Sequence, residues 1–391
     1  MKEHPFNPSL NRRTFLKLGL AGAAATTIGP GRISEVSAAL PSSSLSDSNP
    51  VFRTLGRTGL KITVISFGAM LTPEPEVIRA SLDYGVNYID TARRYMNGKN
   101  EEIVATAIQG YRQKLFLATK TRGETREQIF QDMEKSLRAL DTDYVDVYQL
   151  HNLTSKDKDR AFDPQVREAL QELKKQGKVR FLGVTTHTDQ AVVVNALADD
   201  PDKFFDTILV GYNFKSGPEL KQAIARAAGI GMGIVAMKTQ AGGYKTDALG
   251  PISPHQAALK WVLQDPHITA AVPGMKDMSM LKENIAVMGM KFTQADRQIL
   301  NRYGKAIDPY YCHLCGQCEG TCPGEVAIST INRCLMYAEA YQELKLAETT
   351  YKEIPVQARA STCLSCTECV ARCVRNIDIA RKMSQARHLF V

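Results

Sequence analysis

The first 311 residues contain no cysteine; all nine lie between Cys312 and Cys373. That excludes a disulfide scaffold, which would scatter them along the chain, and points to metal instead. No apolar run approaches the roughly 20 residues that a membrane span needs, so no stable span is expected. The net charge is +8 over 391 residues, yet no dense Lys/Arg run accompanies it. The excess reads as surface balance, and nucleic acid is not expected as a partner. A G-x-G-x-x-G turn is missing after the first β-like run, where "SFGAMLTPEP" stands. This argues against a doubly wound dinucleotide-binding sheet. What remains is ordinary: 44% hydrophobic and 23% charged residues, enough for a real core. The length suits one large domain with a small one attached.

The N-terminus has the layout of an export signal. "NRRTFLK" gives a basic start with paired Arg12 and Arg13, Leu18 to Ile28 is a short apolar run, and "VSAAL" offers small residues for cleavage. The arginine pair points to the twin-arginine route and an exported, periplasmic location. Residues 1–39 are read as signal peptide and 40–50 as a flexible linker.

From Val51 onward, β-branched runs alternate with helical patterns. The runs are "TVISFG", "YIDTA", "LFLATKT", "VDVYQLH", "FLGVTT", "TILVGYN", "GIVAMK" and "AAVPG". Between them, Ile129, Met133, Leu137 and Leu140 recur on one helical face. Asp163, Pro164 and Gly177 punctuate another helix. Such a series predicts an α/β (β/α)8 TIM barrel over residues 51–305. The early "VFRTLGRTGLKI" reads as a hairpin capping the barrel floor.

In a barrel of this kind the chemistry sits at the C-terminal ends of the strands. Asp90, Lys120 and His151 end three consecutive predicted strands, and Tyr95 follows in the loop beyond Asp90. Neighbouring strands run about 4.8 Å apart, so the lysine stands between the other two. A free Tyr hydroxyl, with a pKa of about 10, exchanges protons poorly near neutrality. A nearby ammonium stabilises its phenolate. Asp90 would hold that ammonium, and His151 would hydrogen-bond a carbonyl oxygen.

"GVNYIDTARRY", "ATKT" and "DTDYVDVYQLH" make the barrel resemble the aldo/keto reductases. The resemblance implies a catalytic tetrad of Asp90, Tyr95, Lys120 and His151, with Tyr95 as general acid. It implies a small carbonyl or alcohol substrate, and NADP(H) or NAD(H) across the barrel mouth. The cofactor positions depart from the family pattern. Thr185 and Thr186 stand where Ser-Asn usually holds the carboxamide. Leu209 replaces a Gln three residues before Tyr212, and Met237 stands at the place of a stacking Tyr. Glu283 and Asn284 are kept for the adenine. Met280 occupies the usual Arg position, which leaves Lys276 as the nearby cation for a 2′-phosphate.

The cysteines form two matching runs. Cys312, Cys315, Cys318 and Cys322 repeat as Cys363, Cys366, Cys369 and Cys373, each C-x2-C-x2-C-x3-C. This is the spacing of two-cluster ferredoxins, in which the fourth Cys ligates the other cluster. Two [4Fe–4S] clusters are expected, one on Cys312, Cys315, Cys318 and Cys373, the other on Cys363, Cys366, Cys369 and Cys322. A helical pattern between the runs puts Ile331, Leu335, Ala338 and Tyr341 on one face. Residues 306–391 therefore resemble a small, mainly α-helical ferredoxin-like domain. Cys334 inside that helix reads as a buried hydrophobe.

Two functions follow from the two halves. One is an exported iron–sulfur oxidoreductase acting on a carbonyl or alcohol. The other is an electron-transfer protein whose barrel binds a ligand or a redox partner protein without hydride transfer. In a third reading the clusters only staple the C-terminal segment.

Overall fold

The computed structural model describes residues 49–246, 249–250 and 252–391. The expected signal peptide and most of the linker lie outside the described residues. The described residues belong to one compact unit.

β1 (Phe52–Thr54) and β2 (Lys61–Thr63) pair antiparallel, with Phe52 opposite Thr63 and Thr54 opposite Lys61. This is the expected hairpin. Its turn needs glycine: Gly56 has φ 48°, and a Cβ there would lie 2.3 Å from the backbone nitrogen of Gly233. "TVISFG" is not one strand, as expected from its residues, but is divided. Thr63 ends β2, and only Phe67–Gly68 form β3. The Ser66 hydroxyl donates to the Thr63 carbonyl at 2.7 Å, turning the chain from the hairpin into the barrel.

The barrel strands are β3, β4 (Tyr88–Asp90), β5 (Phe116–Thr121), β6 (Val145–Leu153), β7 (Val179–Thr186), β8 (Thr207–Gly211), β9 (Gly233–Met237) and β10 (Ala270–Ala271). They lie side by side in chain order. Parallel bridges Ile65–Ala271 and Gly68–Gly274 join the two edges. Helices α1 (Pro75–Asp83), α2 (Lys99–Ile108), α3 (Arg126–Leu140), α4 (Pro164–Lys175), α5 (Gln190–Ala198), α6 (Pro218–Gly229), α7 (Pro254–Leu263) and α8 (Met278–Ile285) follow the strands in turn. Their starts obey local chemistry. Asp163 accepts from the amides of Gln165 and Val166 at the head of α4, and Pro164 fills the first turn.

Strand alternation divides the core. Ile89, Leu117, Tyr148, Val184, Ile208 and Val210 face outward and pack under the helices. Tyr88, Ala118, Val147, Leu209 and Val235 face inward and meet Leu55, Leu60 and Ile62 from the hairpin. The floor is thus filled and closed by apolar side chains.

After α9 (Gln294–Ile307) the chain forms α10 (Ile328–Glu339), α11 (Leu344–Lys352) and α12 (Ile379–Phe390), with the cysteine loops between. Ile331, Cys334, Leu335, Tyr351, Ile379 and Met383 make its core, and Cys334 is fully buried in it. Tyr341, expected on the same helical face, lies beyond the end of α10. Gln342, at φ 56°, turns the chain there into α11. A second apolar cluster is shared with the barrel: Ala241 and Tyr303 pack with Tyr311, Met336, Tyr337 and Ala347.

Candidate active site and cysteine cages

The inward alternation that places Tyr88, Ala118 and Val147 at the floor carries Asp90, Lys120, Gln149 and His151 to the mouth. Asp90 is level with Ala118 on β5, and Lys120 with Gln149 on β6. Lys120 Nζ donates to Asp90 Oδ1 at 2.5 Å and to the Thr91 carbonyl at 2.6 Å. Gln149 Nε2 donates to the other carboxylate oxygen at 2.9 Å. The lysine is only 1% exposed, so this pairing is what allows its burial. Burial lowers its pKa, and Asp90 opposes that shift.

Tyr95 begins the loop beyond β4. Met96 and Asn97 follow at φ 51° and 55°, a left-handed pair without glycine. Such backbone persists only where its surroundings hold it. Here Arg93 holds it, donating to the Gly98 carbonyl at 2.7 Å and pairing with buried Glu101. The result sets the Tyr95 ring 4.7 Å from Lys120 Nζ and edge-on to His151, with ring centroids 6.0 Å apart. The four predicted tetrad residues therefore meet at one place. Burial, and then Asp90, push the Tyr95 phenol well above its ordinary pKa; Arg333 and Arg122 pull it down. Burial, followed by Lys120, Arg122 and Arg333, holds His151 well below its ordinary pKa, so it is a neutral imidazole.

The expected cofactor residues do not converge in the same way. Tyr212 points outward: its ring packs on Trp261 and its hydroxyl donates to Asp265 at 2.7 Å. Strand alternation explains this, because Leu209 faces inward and Tyr212 shares the outward side with Ile208 and Val210. Thr185 accepts from the Asn152 amide at 2.7 Å, and Thr186 donates to the Thr188 carbonyl at 3.2 Å. Met237 is buried in the inner core. Glu283 is hydrogen-bonded by Ser253, and Asn284 by Gln240. Lys276 donates to the Tyr341 carbonyl and pairs with Glu343, both at 2.5 Å.

Those last partners belong to the C-terminal segment, which covers the mouth. Lys238, just past β9, donates to the Tyr337 hydroxyl at 2.9 Å. Glu353 pairs with Arg94 at 3.0 Å and Arg122 at 2.8 Å, on either side of the tetrad. Asp189 at the head of α5 crowds Gly316, and its amide donates to the Leu314 carbonyl at 3.1 Å. Beside this contact a cleft of about 520 Å³ runs from His187 and Lys238 to His313 and Cys315. Gln149 and His187 belong to the mouth and were missed. Gln149 was legible, two residues before His151 on the same face.

Cys312, Cys315, Cys318 and Cys373 line one cavity. Burial, with the neighbouring thiols adding to it, pushes the Cys312 and Cys318 thiols up to about 12. Cys363 is raised by burial first and then by Cys322, with Cys366 and Cys369 also close. The fourth cysteine of each run thus lies with the other run's first three. Among the described residues no three His, Cys, Asp or Glu close around a single metal ion.

A model of the aldo/keto reductase family matches residues 74–249. The match takes in β4 to β9, hence all four tetrad positions. The chain is also similar to an uncharacterized oxidoreductase, YqkF, of Bacillus subtilis. The identity is 36% over 151 residues, covering 34% of this chain and 48% of that one. The chain therefore spans about half the length of that relative. L-galactose dehydrogenase of Arabidopsis thaliana is 25% identical over 304 residues, 66% of this chain and 94% of that one. Among solved structures, the holo form of aldo-keto reductase AKR11C1 from Bacillus halodurans shares the fold. Its TM-score is 0.53 at 24% identity, covering 65% of this chain and 96% of that one. A model of the twin-arginine translocation signal matches residues 9–29, which addresses the chain for export by that route.

Proposed function

We propose that the chain is an exported oxidoreductase of the aldo/keto reductase type that reduces a small carbonyl compound, or oxidises the matching alcohol, through Tyr95. One observation carries this: the buried Asp90–Lys120 pair lies against the Tyr95 ring, with His151 at its edge. His151, neutral, donates a hydrogen bond to the carbonyl oxygen. Tyr95, kept protonated by burial, gives that oxygen its proton as hydride reaches the carbon. Asp90 and Gln149 fix Lys120 in place.

The family likeness supports a nicotinamide cofactor as the reductant. As they stand, the residues expected to grip it do not fit a bound dinucleotide, since Lys276 is committed to Tyr341 and Glu343. That commitment favours the second reading, an electron-transfer protein whose barrel binds a ligand or a redox partner without hydride transfer. The donor sets in the C-terminal segment suit [4Fe–4S] clusters on Cys312, Cys315, Cys318 and Cys373, and on Cys363, Cys366, Cys369 and Cys322. Four cysteines gather in each set, and a cluster would take them as thiolates. Clusters held there would supply one-electron transfer.

Tyr95→Phe tests the catalytic reading. It keeps the ring and removes the proton, so carbonyl reduction should fall on the order of 10² to 10⁴-fold. Lys120→Met should act alike, with the visible iron–sulfur spectrum unchanged in both. Wild-type turnover by Tyr95→Phe would leave the electron-transfer reading standing instead. Iron, sulfide and nucleotide analysis of the purified protein identifies the reductant.

A further inference from the structure

Arg333 lies on α10, one helical turn before Tyr337, and residues four apart share a helical face. Tyr337 touches Lys238 at the barrel mouth, so Arg333 faces the mouth as well. It is 5% exposed, and its Nε is buried without a hydrogen-bond partner. Among the described residues no carboxylate pairs with it. A guanidinium in that position is costly unless an anion answers it. Its neighbours do not answer it. Asp90 is taken by Lys120, and Glu353 by Arg94 and Arg122. Lys238 adds a further amine. The mouth thus gathers Arg94, Lys120, Arg122, Lys238 and Arg333, and among the described residues no carboxylate forms an ion pair with Arg333 or Lys238.

Other polar atoms around the mouth are also unanswered. Arg122 Nε beyond β5, Asn152 Oδ1 near the end of β6, His187 Nδ1 beyond β7 and Thr239 Oγ1 beyond β9 are buried with no partner. They surround the tetrad on several sides, as expected where a ligand belongs. Tyr95 and His151 both sense Arg333 electrostatically.

We propose that the substrate is a carbonyl compound that itself carries a carboxylate, an oxo acid, and that Arg333 binds this carboxylate while Tyr95 and His151 hold the carbonyl. This deepens the oxidoreductase reading and rests on it for the carbonyl half. The carboxylate half stands on the unpaired guanidinium alone. The appended segment then does more than cover the barrel: it contributes a specificity residue.

The test compares wild type, Arg333→Gln and Arg333→Lys as intact, iron-loaded protein. A charge-assisted pair is worth about 1.5–3 kcal/mol. The KM for an oxo acid should therefore rise roughly 10- to 150-fold in Arg333→Gln, with kcat changed far less. Arg333→Lys should recover part of the loss, and a neutral aldehyde of similar size should be indifferent to both. Oxamate, an unreactive oxo-acid mimic, gives a readout without turnover. Calorimetry should show it binding wild type and Tyr95→Phe, and binding Arg333→Gln at least 10-fold more weakly. Without ligand, Arg333→Gln should melt no lower than wild type, because it removes an unpaired buried charge. A merely structural arginine would lower the melting temperature and leave oxamate binding intact. Equal oxamate affinity in Arg333→Gln, stronger binding of inorganic phosphate than of oxamate, or selective loss of NAD(P)H binding would each overturn the assignment. If oxamate binds through Arg333 but no carbonyl is reduced, the catalytic reading fails and the anion site survives.

Discussion

At the floor of the barrel, Leu55, Leu60 and Ile62 of the hairpin press onto Ala118, Val147, Leu209 and Val235, and the cluster is apolar throughout. At the mouth, the inward positions of the same strands hold Asp90, Lys120, Gln149 and His151, and unpartnered polar atoms ring them. The backbone differs too. Floor-side loops turn mostly on glycines such as Gly85, Gly110, Gly177 and Gly231, with only Asp141 and Lys203 left-handed among other residue types. Mouth-side loops hold Met96, Asn97, Asn152, Asp189, Lys238 and Ala241 in that strained region. One end is arranged for stability, and the other tolerates cost in order to place side chains.

The contrast predicts that damage at the two ends will differ in kind. The largest effect is expected on the mouth side, from Cys373→Ala. Cys373 shares a cavity with Cys312, Cys315 and Cys318, so its loss should remove on the order of half the bound iron. The paramagnetic signal of the set around Cys363 should persist. If the signal lost belongs to the Cys363 set, the crossed ligation is wrong. Next in size is the floor. Ile62→Ala deletes a fully buried side chain and should cost about 2–5 kcal/mol of stability. The protein that remains folded should keep kcat/KM near wild type. A rate loss beyond a few fold at 25 °C, with stability intact, would erase the distinction between the two ends.

The smallest effect sharpens the contrast through pH. His151 and His187 are both held well below their ordinary pKa, chiefly by burial. The unfolded chain takes up protons near pH 6.5 while the folded chain does not. Stability is therefore fully present above pH 6.5 and is lost as pH falls below it, by up to about 1.4 kcal/mol per pH unit for each histidine. Melting curves from pH 7.5 to 5 should show the fall, and His151→Gln should flatten it. An unchanged slope in that variant would place the titrating groups elsewhere.

Most of the barrel was legible because its signals are local. β-Branched runs, capping residues and glycine turns each act within a few residues, and the strand-end positions of Asp90, Lys120 and His151 follow from alternation alone. The expected crossing of Cys322 and Cys373 came from the likeness of the duplicated spacing to two-cluster ferredoxins, and Cys373 lines a cavity with Cys312, Cys315 and Cys318. The outward placement of Tyr212 follows from alternation from Leu209, whereas its expected role came from the resemblance alone. Arg333, Tyr337 and Glu353 left no trace at all. They reach the barrel from the far end of the chain, and nothing in "STINRCLMYAE" says which surface the helix will cover.

The apolar cluster that joins Ala241 and Tyr303 to Met336, Tyr337 and Ala347 also sets an order in time. Synthesis runs from the floor hairpin through β10, so the barrel can form before α10 has been made. Until then Ala241 and Tyr303 lack Met336, Tyr337 and Ala347 against them, and Lys276 has neither Tyr341 nor Glu343. A chain stopped after α9 would keep this greasy rim open to water and to other chains. The C-terminal helices are thus what completes the cover over this part of the barrel.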